Sequence, residues 1–188
     1  MWSFDGDQAD LQYLTTGWYF RAMNTLRTPA LLHLSPEAFR AVHRQDYPTL
    51  EQLVTNATVN LLDSSGRSVL SFVVNYGDVA MLQWLLTKGP ALDQQDRNGW
   101  TALHFAAQAS AVEMAVLLLE AGASIDVADA YGNTPLCRAV FESRGRGAML
   151  QLLLAHGANP DQPNASGVSP RQLAETIANF DVKQFFAQ

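Results

Sequence analysis

Histidine and cysteine are the side chains best suited to ligating a metal or activating a nucleophile, and two of them occupy matched places in this chain. His104 lies in TALHFAA (101–107) and Cys137 in TPLCRAV (134–140), each three residues after a threonine. Such a pair could hold a zinc ion or share a proton between thiol and imidazole. The pattern around them argues otherwise. The same slot continues as Ser71 and Gln172, and no ligand set or catalytic pair accepts Ser, His, Cys and Gln in turn. Equivalent residues of stacked helical units lie about 10 Å apart, whereas ligands sharing one ion come within about 4 Å of each other. His104 and Cys137 read as one structural position filled twice.

The other chemistry-bearing residues form no set either. His33, His43 and His156 show no H-x-x-x-H or H-E-x-x-H spacing, and His156 precedes Gly157, where it suits the carbonyls of a helix end. The glycines of SRGRG (143–147) have no strand before them and no Lys-Ser/Thr after, so they make neither a P-loop nor a dinucleotide fingerprint. G-x-S-x-G is absent. No catalytic residue, metal ligand or cofactor is assigned, and the chain is expected not to be an enzyme.

A repeat must position whatever function remains. Asp63/Gly66, Asp96/Gly99, Asp129/Gly132 and Asn164/Gly167 recur at intervals of 33, 33 and 35 residues. Each glycine is followed two residues later by Ser68, Thr101, Thr134 or Ser169. The recurring Asp suits a turn, where its side chain accepts from the backbone two residues on. MLQWLLTKG (81–89), MAVLLLEAG (114–122) and MLQLLLAHG (149–157) are apolar at helical spacing, and Gly89, Gly122 and Gly157 stand where a helix end takes a left-handed residue. Leu117 and Leu152 are expected in the core of these segments. Each unit thus reads as turn, short helix, longer helix and loop.

With TALHFAA and TPLCRAV at this period, the chain resembles the ankyrin-repeat family, whose first helix opens on T-P-L-H-x-A-A. The implied fold is an all-α solenoid of helix-turn-helix units joined by β-turn or hairpin loops. A degenerate first unit spans 36–62, with a helix over 36–44 started by Ser35 and Pro36. Further units span 63–95, 96–128 and 129–163, and a capping unit spans 164–188, where Arg171 replaces the usual leucine. Residues 1–35 do not repeat; Leu11, Leu14, Trp18, Met23 and Leu26 predict a helix over about 8–27, a cap on the array or part of a binding face.

Composition sets the remaining bounds. Hydrophobic residues make up 48% and charged residues 16%, as in a folded globular protein. The formal net charge of −6 disfavours nucleic acid as the ligand. No apolar run is long enough to span a membrane, no secretory signal is evident, and a single cysteine fits a reducing compartment. A cytoplasmic protein, monomeric when free, is expected.

The resemblance implies that one protein partner is held on a concave side built from the turns and the exposed ends of the first helices. Those columns give Arg67, Asn75 and Tyr76; then Arg97, Asn98, Trp100 and Gln108; then Tyr131, Asn133, Phe141 and Glu142. Trp100, Tyr131 and Tyr76 stand out, because stacking requires no aromatic there and aromatics dominate interface hot spots. SRGRG carries two extra residues and is expected to be a loop insertion. A small acidic ankyrin protein also resembles the bacterial immunity partners of secreted toxins, which implies a toxin domain as partner; an adaptor or scaffold regulating another protein is the alternative.

Overall fold

The computed structural model of the chain describes residues 35–76, 78–177 and 182–186. The helix expected over 8–27 lies outside these residues. Nine α-helices are described: α1 (Pro36–Arg44), α2 (Tyr47–Leu53), α3 (Val69–Tyr76), α4 (Val79–Leu86), α5 (Ala102–Ala109), α6 (Val112–Glu120), α7 (Pro135–Glu142), α8 (Ala148–Ala155) and α9 (Pro170–Thr176). A 3₁₀ turn, Lys183–Phe186, follows α9. Among the described residues there is no strand, only an isolated antiparallel bridge between Leu62 and Ser68.

The helices are too short to be stable alone, so stacking must hold them. The first helices pack in one column, α1 on α3, α3 on α5, α5 on α7 and α7 on α9. The second helices α4, α6 and α8 stack in another. Val73, Val74, Leu82, Leu85, Leu103, Ala106, Leu118, Leu136, Leu150 and Leu153 are among the residues that form one continuous buried core. Leu117 and Leu152, expected there, are only half-buried; Leu118 and Leu153 take the core instead. In an uninterrupted LLL run every residue is apolar, so the pattern leaves the helix phase open by one position.

Side-chain acceptors cap the starts of several helices. Asp46 and Asp78 cap α2 and α4 by accepting from Thr49 N–H and Met81 N–H. Thr134 and Ser169 do the same for α7 and α9. Ser35 makes no such bond, and Pro36 alone marks the start of α1. Gly89, Gly122 and Gly157 all take positive φ, between 69° and 97°, after the second helices.

Three loop side chains tie successive units together. Asn60 accepts from Ala91 N–H at 2.6 Å, Asp93 from Ser124 N–H at 2.9 Å, and Asp126 from Asn159 N–H at 3.0 Å. The last unit ends differently. Arg171 forms an ion pair with Asp161 at 2.7 Å and donates through Nη1 to the Phe186 carbonyl. Its cation replaces leucine because it fastens the 3₁₀ turn rather than filling a core.

The SRGRG segment is more than an inserted loop. Arg144 and Gly145 both have positive φ, 46° and 82°. Gly147 lies so close to Phe185 that a Cβ there would collide with the edge of the phenyl ring. Glycine at 147 leaves room for the Phe185 ring beside the start of α8.

Candidate protein-binding face

Four turns supply the face, and an Asp or Asn side chain shapes each one. Asp63 Oδ1 accepts from Ser65 and Arg67 N–H, Asp96 Oδ1 from Asn98 and Trp100 N–H, Asp129 Oδ1 from Tyr131 and Asn133 N–H, and Asn164 Oδ1 from Ser166 and Val168 N–H. The glycine of each turn adopts φ between 76° and 79°, a region that side chains with a Cβ avoid. The turns therefore repeat one backbone shape and differ only in the side chains they display.

Neighbouring turns also touch. Ala130 N–H donates to the Asn98 carbonyl and Ala165 N–H to the Tyr131 carbonyl, both at 2.9 Å. A Cβ on Gly99 or Gly132 would sit 2.6 or 2.7 Å from those same nitrogens, which no real structure tolerates. These glycines are fixed by contact as well as by φ.

His104 and Cys137 both sit beneath this face, fully buried. Thr101 N–H donates to His104 Nδ1 at 3.1 Å, so Nδ1 is an acceptor and Nε2 carries the proton. Nε2 then donates to the Asn133 carbonyl at 3.1 Å, joining the second turn to the third. Burial lowers the His104 pKa and keeps the ring neutral. Cys137 donates its backbone N–H to Thr134 Oγ1, and burial raises its thiol pKa. No hydrogen bond joins the two residues. In the same slot Ser71 meets Ser68, and Gln172 accepts from Ser169 N–H, so each side chain serves its own helix start. Among the described residues no group of three or more His, Cys, Asp or Glu gathers as a metal site would.

The residues read from the sequence divide by accessibility. Tyr76, Tyr131 and Phe141 are exposed by 47%, 66% and 52%. Asn75, Arg97, Asn98 and Gln108 are exposed too, while Arg67 and Glu142 are half-buried. Tyr76 continues an aromatic run: its ring lies 4.9 Å from His43 and 4.7 Å from Phe72, which carries the Arg67 guanidinium at 5.3 Å.

Two residues require correction. Asn133 is only 8% exposed; its amide nitrogen faces Asp129 and its Oδ1 accepts from Asn164 Nδ2 at 2.9 Å. Asn133 ties two turns together and presents nothing to a partner. Trp100 is half-buried rather than displayed. Its ring meets His104 at 6.1 Å, Phe105 at 5.0 Å and the Arg138 guanidinium at 4.5 Å. It shields the His104 network.

Arg138 and Phe105 also belong here and were not singled out from the sequence. Arg138 Nη2 pairs with the buried Asp129 carboxylate at 2.7 Å, while its Nε is buried without a partner. Burial opposes ionisation of Asp129, yet the bonds from Arg138 and from Asn133 and Tyr131 N–H prevail and hold its pKa below the usual value. The signal was the column that runs Phe72, Phe105, Arg138 one place after the His104 slot, where stacking does not call for a cation. Phe105 forms part of a groove of about 440 Å³ with Ser65, Arg67, Asp96, Arg97 and Asn98.

Among the described residues no helix is long and apolar enough to cross a membrane. A search of curated proteins yields no match. The family model for ankyrin repeats in three copies matches residues 38–129 and again 71–164. These spans hold three of the four turns and the helix pairs α3–α4, α5–α6 and α7–α8, and the chain belongs to the ankyrin-repeat family.

Proposed function

We propose that this chain is a non-catalytic binding protein whose single protein partner docks on the turn face. Ankyrin repeats are protein–protein interaction modules. The observation that carries the choice of face is the display of Tyr76, Tyr131 and Phe141 on a framework that does not need them. Large apolar side chains left in water, one in the unit 63–95 and two in the unit 129–163, are the composition of a hot-spot surface. A framework fixed by turn-to-turn backbone bonds loses little entropy on association.

The more specific reading is an immunity role in the cytoplasm of a bacterium. The chain, monomeric when free, neutralises a cognate secreted toxin by covering its active site. A small acidic array with a preformed face supports this reading, because a toxin inhibitor must bind one partner tightly and needs no chemistry of its own. The decisive experiment is co-expression with the toxin domain encoded beside the gene. Growth rescue by the wild type, and loss of rescue in the Tyr131→Ala/Phe141→Ala variant, is expected. Stable binding to several unrelated proteins without rescue identifies an adaptor instead.

A further inference from the structure

The three turn-to-turn junctions are not alike. At the second and third, a backbone N–H of one turn donates to a carbonyl of the turn before it. The equivalent bond at the first junction would run from Arg97 N–H to the Ser65 carbonyl, and it is not made. The spacing agrees: a Cβ on Gly66 would lie 3.5 Å from Arg97 N, against 2.6 and 2.7 Å at the equivalent nitrogens of the other junctions. The first two turns stand apart, and the groove of Ser65, Arg67, Asp96, Arg97, Asn98 and Phe105 is the opening between them.

The hydrogen-bonding groups of this opening are mostly donors. Arg97 N–H is unpaired, and the exposed Arg97 side chain, which passes over Gly66, forms no ion pair. Arg67 spends Nε and Nη2 on Asp63, which leaves Nη1 without a bond. The nearby anions are partly engaged. Asp63 accepts from two backbone N–H groups and from Arg67; Asp96 spends Oδ1 on Asn98 and Trp100 N–H and keeps Oδ2 free, opposite the unpaired Arg97. Two guanidinium groups, one of them unpaired, and a free amide line the opening on a chain whose net charge of −6 would otherwise repel an anion.

We infer that the opening between the first two turns receives an acidic side chain, Asp or Glu, from a loop of the protein partner. This rests on the reading of the turn face as the protein-binding surface. A carboxylate suits the geometry because a guanidinium binds it through two parallel N–H groups, with the backbone N–H as a third donor. Phe105 beneath the groove gives the methylene stem of that side chain an apolar seat.

The test is an NMR titration of the ¹⁵N-labelled full chain with the peptide Ac-Gly-Glu-Asp-Gly-NH₂ and with its neutral counterpart Ac-Gly-Gln-Asn-Gly-NH₂. Saturable shifts of the Arg97 and Asn98 amides are expected with the acidic peptide alone. They fade between about 0.05 and about 0.5 M salt, because exposed charges are screened. They vanish in Arg97→Ala, whose other amide resonances stay in place and show that it is folded. Equal shifts with both peptides, or no shift at Arg97 and Asn98, overturn the inference. With a partner in hand, Arg97→Glu is expected to weaken binding by about tenfold or more. A partner held equally by wild type and Arg97→Glu overturns the acidic seat and leaves the binding face standing. A peptide response without any protein partner supports the seat and counts against the face.

Discussion

Replacing Gly99 with alanine tests whether the turns are held by direct backbone contact. Gly99 and Gly157 both adopt left-handed φ, 79° and 88°. An alanine at either place bears a conformational penalty of about 1–2 kcal/mol. The surroundings then separate them. A Cβ at Gly157 meets nothing within 4 Å, whereas at Gly99 it falls 2.6 Å from Ala130 N and 2.9 Å from Asp129 Cα. The neighbouring turn must shift, and the bond from Ala130 N–H to the Asn98 carbonyl is lost. A hydrogen bond contributes about 0.5–1.5 kcal/mol, and forcing a side-chain carbon against packed neighbours costs about 1–3 kcal/mol. Gly99→Ala should therefore destabilise by about 2 kcal/mol more than Gly157→Ala. Urea unfolding followed by circular dichroism, with both variants compared at the same slope, reads the difference. Equal losses in the two variants would refute the contact between turns.

Other outcomes follow from the same framework. Leu118→Ala and Leu153→Ala, in the core, should each cost about 2–5 kcal/mol, and Leu117→Ala distinctly less, by the same urea assay. The Tyr131→Ala/Phe141→Ala variant should keep its stability to within about 0.5 kcal/mol per site while losing partner binding. Trp100→Ala should be destabilising, because it uncovers His104 and Arg138; an unchanged urea midpoint would contradict its shielding role.

His104 gives a pH prediction whose sign is fixed by its surroundings. Its pKa is lower folded than the ordinary value of about 6.5. Between the folded pKa and about 6.5 the unfolded chain binds the extra proton, so stability is full above that window and declines as pH falls through it. His104→Gln places in the second full unit the residue that serves the slot at Gln172, and it should flatten this part of the urea-midpoint profile. An unaltered pH dependence would show that the ring is not held neutral by burial.

The array was legible in the sequence because every unit must solve the same turn with the same residues. Asp96 and Gly99 announce a turn on their own, and their recurrence as Asp129 and Gly132 sets the register of the stack. Display was less legible, since a turn residue faces either outward or the next turn. Asn133 and Tyr131 are two residues apart, yet the first is held by Asn164 while the second is the most exposed large apolar side chain described. Trp100 looked like an advertised aromatic, but Arg138, 38 positions later, covers it through a contact that no local pattern encodes. The open first junction was hidden for the same reason, because Gly66 and Gly99 occupy identical columns and differ only in how closely the next turn approaches.

The central claim, that a protein partner docks on the turn face, is tested most directly by quantitative affinity capture from cells of the source organism with three bait proteins. These are the wild type, Tyr131→Ala/Phe141→Ala on the turn face, and Gln83→Ala/Glu120→Ala at exposed positions of the second helices. The account predicts one dominant partner that the Gln83→Ala/Glu120→Ala bait retains and the Tyr131→Ala/Phe141→Ala bait loses by about tenfold or more. A partner retained on the turn-face variant, or lost only when the second helices are altered, would contradict it.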